Sequence, residues 1–318
     1  MKTLLYYLLA AVVLSAAAFV LGSYQTDIYR KLLLWITLAL SYNFLFGISG
    51  QVAFSHFTFY GIGSYAIVIL VTQVGLPLPL AVLAAIAVCV VVALVVAIPS
   101  TRLDGFYLAL ATLALSQLFI VVLNEGGSVT GGAGGLNNYR LPDIFGVYIK
   151  GPWYTVVIVV LMLGTLGTLW RLDRSWFGRA CRAVRDNHEA ATAMGVDVRR
   201  TKVLAYAITS TMAGIAGMAY AFVDNNVNPL IFGLDNAFLL LFMVIVGGVG
   251  KHAGAILGAV LLYVMPFVLS PMIGHHHPLV FGVLVVLAVI FQPKGLIGIR
   301  VRSRQSAAGE VPAKVPAP

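Results

Sequence analysis

Long apolar runs separated by short polar segments dominate the chain. Several runs reach the length of about 20 residues that a helix needs to cross the hydrocarbon core of a bilayer. Strand-like alternation is absent, which argues against a membrane β-barrel. The pattern predicts an all-α, polytopic transmembrane helical bundle of about ten spans. The runs cover roughly residues 4–22, 32–48, 52–73, 79–98, 105–123, 153–170, 203–223, 237–249, 254–270 and 278–291.

Composition narrows the domain organisation. Of the 318 residues, 60% are hydrophobic and only 10% are charged, so the chain lacks the charge that would solvate a sizeable soluble domain. We predict one transmembrane domain over residues 1–297, followed by a basic, disordered cytoplasmic tail over residues 298–318.

The first apolar run follows Met1 and Lys2 and has two interpretations, a secretory signal or a retained span. Its length of about 19 residues exceeds the apolar core of a typical signal peptide. Because further spans follow directly, a retained helix is favoured.

The distribution of basic residues predicts the orientation. Placing residues 171–202 in the cytoplasm puts 16 of the 20 Lys and Arg residues inside, and leaves Arg30, Lys31, Arg140 and Lys150 outside. This bias follows the positive-inside rule and predicts an N-in, C-in topology. The same distribution explains the net charge of +9 by membrane topology and contact with lipid, and no nucleic acid is expected as a partner.

Ionisable side chains are scarce within the runs. Apart from Tyr and Cys, only His56 lies inside one, whereas ion-coupled carriers commonly use buried carboxylates. The segment Gly247–His252 lacks the glycine spacing and the Ser or Thr of a phosphate loop. Three consecutive histidines, His275–His277, predict a polar external turn and no metal site. The energy source is therefore expected to be another subunit; an ion-coupled secondary transporter or channel, or a membrane subunit of a redox complex, remains the alternative.

The segment 175–196 carries the most informative pattern. Arg179, Arg182 and Arg185 recur every three residues along one helical face, and Gly195 is suited to end a second short helix in a left-handed conformation. Such a helix can lie on anionic lipid with its arginines snorkelling. Alternatively, it docks on a protein partner. An apolar face is formed by Phe177, Cys181, Val184 and Ala191.

The second interpretation is supported by a resemblance. Glu189-Ala190-Ala191, three further residues and then Gly195 have the spacing of the EAA loop of permease subunits in ATP-binding-cassette importers. Further blocks occur in order across roughly residues 35–297, and the chain resembles the LivM-type permeases of branched-chain amino acid importers. These blocks are Gly47–His56, Tyr60–Ala66, Arg102–Ala109, Ala111–Ala114, Thr130–Gly132, Phe177–Gly195, Lys202–Tyr220, Gly247–Gly250 with Gly254 and Gly258, and Pro293–Leu296.

The resemblance implies the assembly and its location. A second, LivH-like permease, two cytosolic subunits that bind ATP and Mg, and an external substrate-binding protein are expected as partners in the bacterial inner membrane. The chain itself would be no enzyme and hold no cofactor. Its architecture serves branched-chain amino acids, urea, short amides and aromatic acids. The coupling loop, residues 171–202, would act through Arg182, Arg185, Glu189, Ala190, Ala191 and Gly195.

Two further residue sets are candidates for the transport path. Polar residues within apolar segments face either substrate or a neighbouring helix; they are Gln51, Ser55, His56, Tyr107, Thr112 and Ser116. Glycines near the cytoplasmic ends of two spans serve either as hinges or as close-packing positions; they are Gly47, Gly50, Gly247, Gly248 and Gly250.

Overall fold

A computed structural model describes residues 11–16, 19, 21–101, 103, 105–139 and 152–273, together with positions 282, 283, 286, 295 and 296. The predicted tail over residues 298–318, the histidines 275–277 and most of the first and last apolar runs lie outside the described residues.

The described part is a helical bundle, which confirms the all-α class that the sequence predicts. Six of its helices are long and apolar enough to cross a membrane, and two shorter apolar helices accompany them. The helices are α1 (Ser23–Asn43), α2 (His56–Thr72), α3 (Leu78–Ser100), α4 (Phe106–Glu125), α5 (Gly127–Thr130), α6 (Pro152–Arg174), α7 (Trp176–Asp186), α8 (His188–Ala193), α9 (Val198–Asp224), α10 (Leu234–Gly247) and α11 (His252–Ile273).

Shorter elements connect these helices. A π-helix (Phe44–Ile48) continues α1, and 3-10 turns occupy Gly132–Gly134 and Pro229–Phe232. Strand β1 (Leu136–Asn137) pairs antiparallel with β2 (Asn226–Val227), which joins the glycine-rich loop after α4 to the end of α9.

Several helices extend beyond the apolar runs that predict them. Helix α1 begins at Ser23 and α9 at Val198, whereas the runs begin at residues 32 and 203. Polar residues continue a helix where it leaves the hydrocarbon, and the Asp197 side chain caps α9 by accepting from the Arg200 N–H at 2.9 Å. As a consequence, Lys31 lies within α1 and Asp224 lies at the last position of α9.

Helices α1, α2 and α9 form the centre of the bundle. In the most apolar 18-residue stretch of α1 with its π-helix, 78% of the residues are buried. The corresponding fraction is 28% in each of α3, α4 and α6. Helix α2 contacts α9 closely, and the Ser64 hydroxyl donates to the Gly217 carbonyl oxygen at 2.8 Å. The outer helices leave apolar side chains such as Leu83 and Val121 exposed, as expected for surfaces that face lipid or another subunit.

Small residues allow the helices to approach. Helix α3 buries one small side chain every four residues against the bundle; these are Ala81, Ala85, Cys89, Ala93 and Ala97. A Cβ atom added at Gly214 would lie 2.4 Å from the Cys89 sulfur. Lipid tails are as apolar as the side chains, so close packing supplies much of the association energy between membrane helices.

Helices α10 and α11 form a tight hairpin. An added Cβ at Gly247 would lie 2.0 Å from the Gly254 carbonyl oxygen, and one at Gly258 would lie 1.8 Å from the Met243 carbonyl oxygen. The runs 237–249 and 254–270 are therefore two separate helices with a turn between them, and Gly247 contributes close packing.

The α2–α9 contact generates a prediction. An added Cβ at Gly63 would lie 1.9 Å from the Gly214 carbonyl oxygen, so Gly63→Ala is expected to destabilise the protein by about 1–3 kcal/mol through overpacking. Thermal unfolding in detergent measures this as a lower midpoint. Gly164→Ala is the matched control, because nothing lies within 4 Å of its added Cβ. Equal midpoints for the two variants would contradict the contact.

Candidate coupling and substrate sites

The segment predicted to be the coupling loop folds into two short, capped helices. The Ser175 side chain accepts from the Gly178 N–H at the start of α7, and the Asn187 side chain accepts from the Ala190 N–H at 2.9 Å at the start of α8. Serine and asparagine are favoured at these positions because their side chains satisfy unpaired helix donors. Helix α7 buries Cys181 and Val184 against the bundle, as its apolar face predicts.

Helix α8 presents the first two EAA residues to solvent and buries the third. Glu189 and Ala190 are exposed, whereas Ala191 is 4% exposed and seats the helix. Met194 beyond it is 85% exposed, and Gly195 adopts the predicted left-handed conformation with φ of +81°. The loop thus offers an exposed surface of small residues with one acidic group, Glu189.

The arginines of α7 bind the bundle. Arg182 forms an ion pair with Asp173 at the end of α6. The Arg185 guanidinium donates to the Gly47 carbonyl oxygen in the π-helix that ends α1. Arg182 and Arg185 therefore connect the coupling loop to the bundle.

The two predicted glycine segments meet at Arg185. The Gly250 N–H donates to the Asn43 side-chain oxygen at 2.8 Å, and an added Cβ at Gly47 would lie 2.4 Å from the Gly250 nitrogen. An added Cβ at Gly50 would lie 2.7 Å from the Arg185 Cγ, and Gly50 has φ of +75°. We call Asn43, Gly47, Gly50, Arg185 and Gly250 the glycine junction; it joins the end of α1, the α10–α11 turn and the coupling loop.

The other predicted glycine has a different place. Gly248 has φ of +123°, a conformation that side chains rarely adopt. It lies at the end of α10, and an added Cβ at Gly295 would lie 2.3 Å from the Gly248 Cα. The Leu296 N–H donates to the Val246 carbonyl oxygen at 2.9 Å, so a segment near the end of the chain packs on this turn.

Most of the predicted path residues are buried, and their side chains form hydrogen bonds to other segments of the bundle. The Gln51 side chain donates to the Lys202 carbonyl oxygen at 3.2 Å, and the Ser55 hydroxyl lies 2.5 Å from the Tyr206 hydroxyl. The Thr112 hydroxyl accepts from the Phe54 N–H at 3.0 Å.

Ser116, His56 and Tyr107 complete the set. The Ser116 hydroxyl donates to the Phe54 carbonyl oxygen at 3.1 Å. His56 is 1% exposed, with its Nε2 3.0 Å from the Ser41 hydroxyl. Tyr107 is 70% exposed on the outer surface of α4, apart from the other five. In this conformation the buried members connect helices.

A cavity of about 320 Å³ lies elsewhere, between α1, α2, α9, α10 and α11. Lys31 and Asn236 line it, and the Lys31 ammonium lies 3.0 Å from both carboxylate oxygens of Asp224. The Tyr220 hydroxyl donates to Asp224 at 2.5 Å. The aromatic side chains of its wall are Trp35, Phe57, Tyr60, Tyr220, Tyr263 and Phe267.

The six predicted path residues do not line this cavity. The sequence does not reveal this cavity, because Lys31 and Asp224 each fall one residue outside a predicted apolar run and Lys31 is predicted to lie in an external segment. Aromatic residues at helical spacing on the same runs, such as Phe57 and Tyr60 or Tyr263 and Phe267, were the available signal.

Comparison with known proteins decides the family. The model of the family described as "Branched-chain amino acid transport system / permease component" matches residues 24–291. The chain belongs to this family. It is therefore a multi-pass membrane permease component of a transport system, as the sequence resemblance predicts.

Individual relatives agree with that assignment. The chain is 30% identical over 316 residues to the high-affinity branched-chain amino acid transport system permease protein LivM of Escherichia coli, covering 92% of this chain and 74% of the relative. A probable LivM of Methanocaldococcus jannaschii is 30% identical over 237 residues, covering 69% of this chain and 67% of the relative. The LivH permease of Salmonella typhimurium is 26% identical over 287 residues, covering 82% of this chain and 90% of the relative. No solved structure matches the chain significantly.

The seating of α7 generates a prediction about thiol reactivity. Burial raises the pKa of the Cys181 thiol to about 12, and the reactive thiolate forms only as the pH approaches the pKa. Cys181 is therefore expected to resist maleimide at about pH 8, below its pKa and near the ordinary cysteine value. Mass spectrometry of the labelled protein measures this.

A cysteine introduced by Met194→Cys, at an exposed position of the same loop, is the positive control and is expected to label fully. Labelling of Cys181 at the rate of that control would show that α7 does not seat on the bundle.

Proposed function

We propose that this chain is the permease subunit through which an ATP-driven importer moves a branched-chain amino acid across the bacterial inner membrane. Family membership and the substrate in the names of the LivM relatives support this proposal. The observation that carries it is the coupling loop, whose exposed Glu189 and Ala190 lie on α8 while Arg185 of α7 contacts the ends of the spans.

In the proposed assembly, this chain works with three other kinds of subunit. A LivH-like permease completes the pathway, two cytosolic subunits bind ATP with Mg and hydrolyse it, and an external binding protein delivers the substrate. Similarity of this one chain to both LivM and LivH proteins supports a pair of related permeases. The exposed apolar side chains of α3 and α4 suit lipid or that companion.

The proposed topology has ten spans with both ends in the cytoplasm. Eight apolar helices of the described residues, together with the first and last apolar runs of the sequence, make up this number. The even number places residues 171–202 and the basic tail on one side, which the positive-inside rule assigns to the cytoplasm. The domain then spans residues 1–297, and residues 298–318 form the tail.

In this assembly, closure of the ATPase pair displaces α8. Helices α7 and α8 meet at the capping residue Asn187, so displacement of α8 acts on α7. Because Arg185 contacts Gly47 and Gly50, and Gly47 contacts Gly250, movement of α7 acts on α1 and on the α10–α11 turn together. π-Helical turns occur frequently at functional sites, and one such turn ends α1.

Charge reversal on α8 tests the proposal. Glu189→Lys is expected to reduce co-purification of the ATPase subunits at least about tenfold, because the acceptor that Glu189 offers to the ATPase is replaced by a positive charge that faces the donors of the ATPase. ATP-driven leucine uptake into vesicles is expected to fall in proportion. Both are measured on the assembled importer.

Glu125→Lys is the matched control, since Glu125 is equally an exposed acid but lies at the end of α4 on the opposite side of the membrane. It is expected to leave co-purification unchanged. Leucine uptake by the wild-type chain without ATP or an ATPase partner would overturn the proposed function.

A further inference from the structure

The cavity between α1, α2, α9, α10 and α11 plays no part in the coupling described above. Building on the proposed function, we infer that it is a binding site for an α-amino acid zwitterion with an apolar side chain. In this assignment Lys31 receives the carboxylate, Asp224 receives the ammonium, and the aromatic wall receives the side chain.

The charges suit a zwitterion. The Lys31 and Asp224 side chains are about one-third exposed, at 34% and 32%, so each retains hydrogen-bonding capacity beyond their mutual contact. An ammonium has three donors and a carboxylate accepts about four hydrogen bonds. A ligand that carries both charges on one carbon can therefore add to the pair and leave neither charge uncompensated. A neutral solute such as urea can hydrogen-bond to either group but offers neither of them an opposite charge.

The walls suit an apolar side chain. Trp35 and Phe57 are 4.9 Å apart between ring centroids, and Trp35 and Tyr263 are 6.1 Å apart. The volume of about 320 Å³ is at the lower end of ligand-site volumes, which fits one small molecule. Such sites combine mostly apolar lining with a few placed polar groups. Here these are Asn236 and Lys31, and the Asp224 carboxylate lies directly behind Lys31, 3.0 Å from its ammonium.

The position of the cavity connects it with the coupling loop. Lys31 and Asp224 lie near the ends of α1 and α9 that are remote from the glycine junction. Three of the helices that surround the cavity, α1, α10 and α11, meet at that junction. In the proposed topology the cavity lies at the external end, where a binding protein would release its ligand.

Binding by the purified importer complex tests the assignment. The complex, without its binding protein, is placed in nanodiscs of phosphatidylglycerol alone, so that no zwitterionic lipid headgroup competes. Saturable binding of tritiated leucine is expected, and Lys31→Gln or Asp224→Asn is expected to weaken it at least about tenfold. Absence of saturable binding by the wild-type complex would overturn the inference.

Two analogues separate ligand contact from a structural ion pair. Leucinamide lacks the carboxylate, and isocaproate lacks the ammonium. Lys31→Gln is expected to abolish the preference for leucine over leucinamide but to retain the preference over isocaproate, and Asp224→Asn is expected to do the reverse. A purely structural pair would leave both preferences unchanged, and that result would overturn the assignment.

Two further variants control for folding. Leu239→Trp fills the cavity from its wall and keeps the ion pair, so it is expected to abolish binding in a complex that still assembles. Asp27→Asn removes a different ion pair of α1, the one with Arg30, and is expected to bind leucine as the wild type does. Wild-type affinity in the Leu239→Trp complex would contradict the site.

The proposed function and this inference fail in different ways. Loss of ATP-driven leucine uptake from the wild-type importer would contradict the proposed function. Normal uptake by the wild type, with leucine affinity unchanged in Lys31→Gln and Asp224→Asn, would contradict only the binding site.

Discussion

The hydrogen bond from the Arg185 guanidinium to the Gly47 carbonyl oxygen connects the proposed coupling loop with the membrane bundle. It holds a charged side chain of α7 against the backbone at the end of α1, where the α10–α11 turn also arrives through Gly250 and Asn43. A charge-assisted bond of this kind is stronger than one between neutral groups. The loop, the end of α1 and the α10–α11 turn therefore meet at one place.

Glycine makes that contact attainable. The backbone at Gly47 lies so near Gly250 that an added Cβ would be 2.4 Å from its nitrogen. The two roles predicted for these glycines, hinge and close packing, are compatible. Close packing is observed at Gly47, and Gly50 adopts a left-handed conformation just after the π-helix. The same requirement for small residues recurs between α2 and α9 and between α10 and α11.

Much of the fold was predictable from sequence, because apolar runs report directly on what a bilayer excludes. The coupling loop was also predictable, since the caps, the apolar face of α7 and the turn at Gly195 are local features. The glycine junction was not, because Asn43, Arg185 and Gly250 are far apart in sequence. A backbone acceptor such as the Gly47 carbonyl has no signature of its own.

The candidate path shows the same limit. The sequence alone does not distinguish a polar residue that bonds to a neighbouring helix from one that faces a ligand. His56 is an example, because its side chain contacts Ser41. Lys31 and Asp224 could not be recognised as a pair for a different reason. Charged residues at the ends of apolar runs are usually solvated, so their position suggests no partner. Only the tertiary contact between α1 and α9 brings Asp224 to Lys31, which lines the aromatic cavity.

The number of ATP molecules hydrolysed per leucine imported tests this account most directly. Arg185→Ala is expected to retain ATPase association and hydrolysis, because Glu189 and α8 are intact, but to raise this ratio at least about tenfold as a charge-assisted contact is lost. Arg179→Ala, on the exposed side of the same helix, is expected to keep the wild-type ratio. An unchanged ratio in Arg185→Ala, with normal uptake, would contradict the role assigned to the glycine junction.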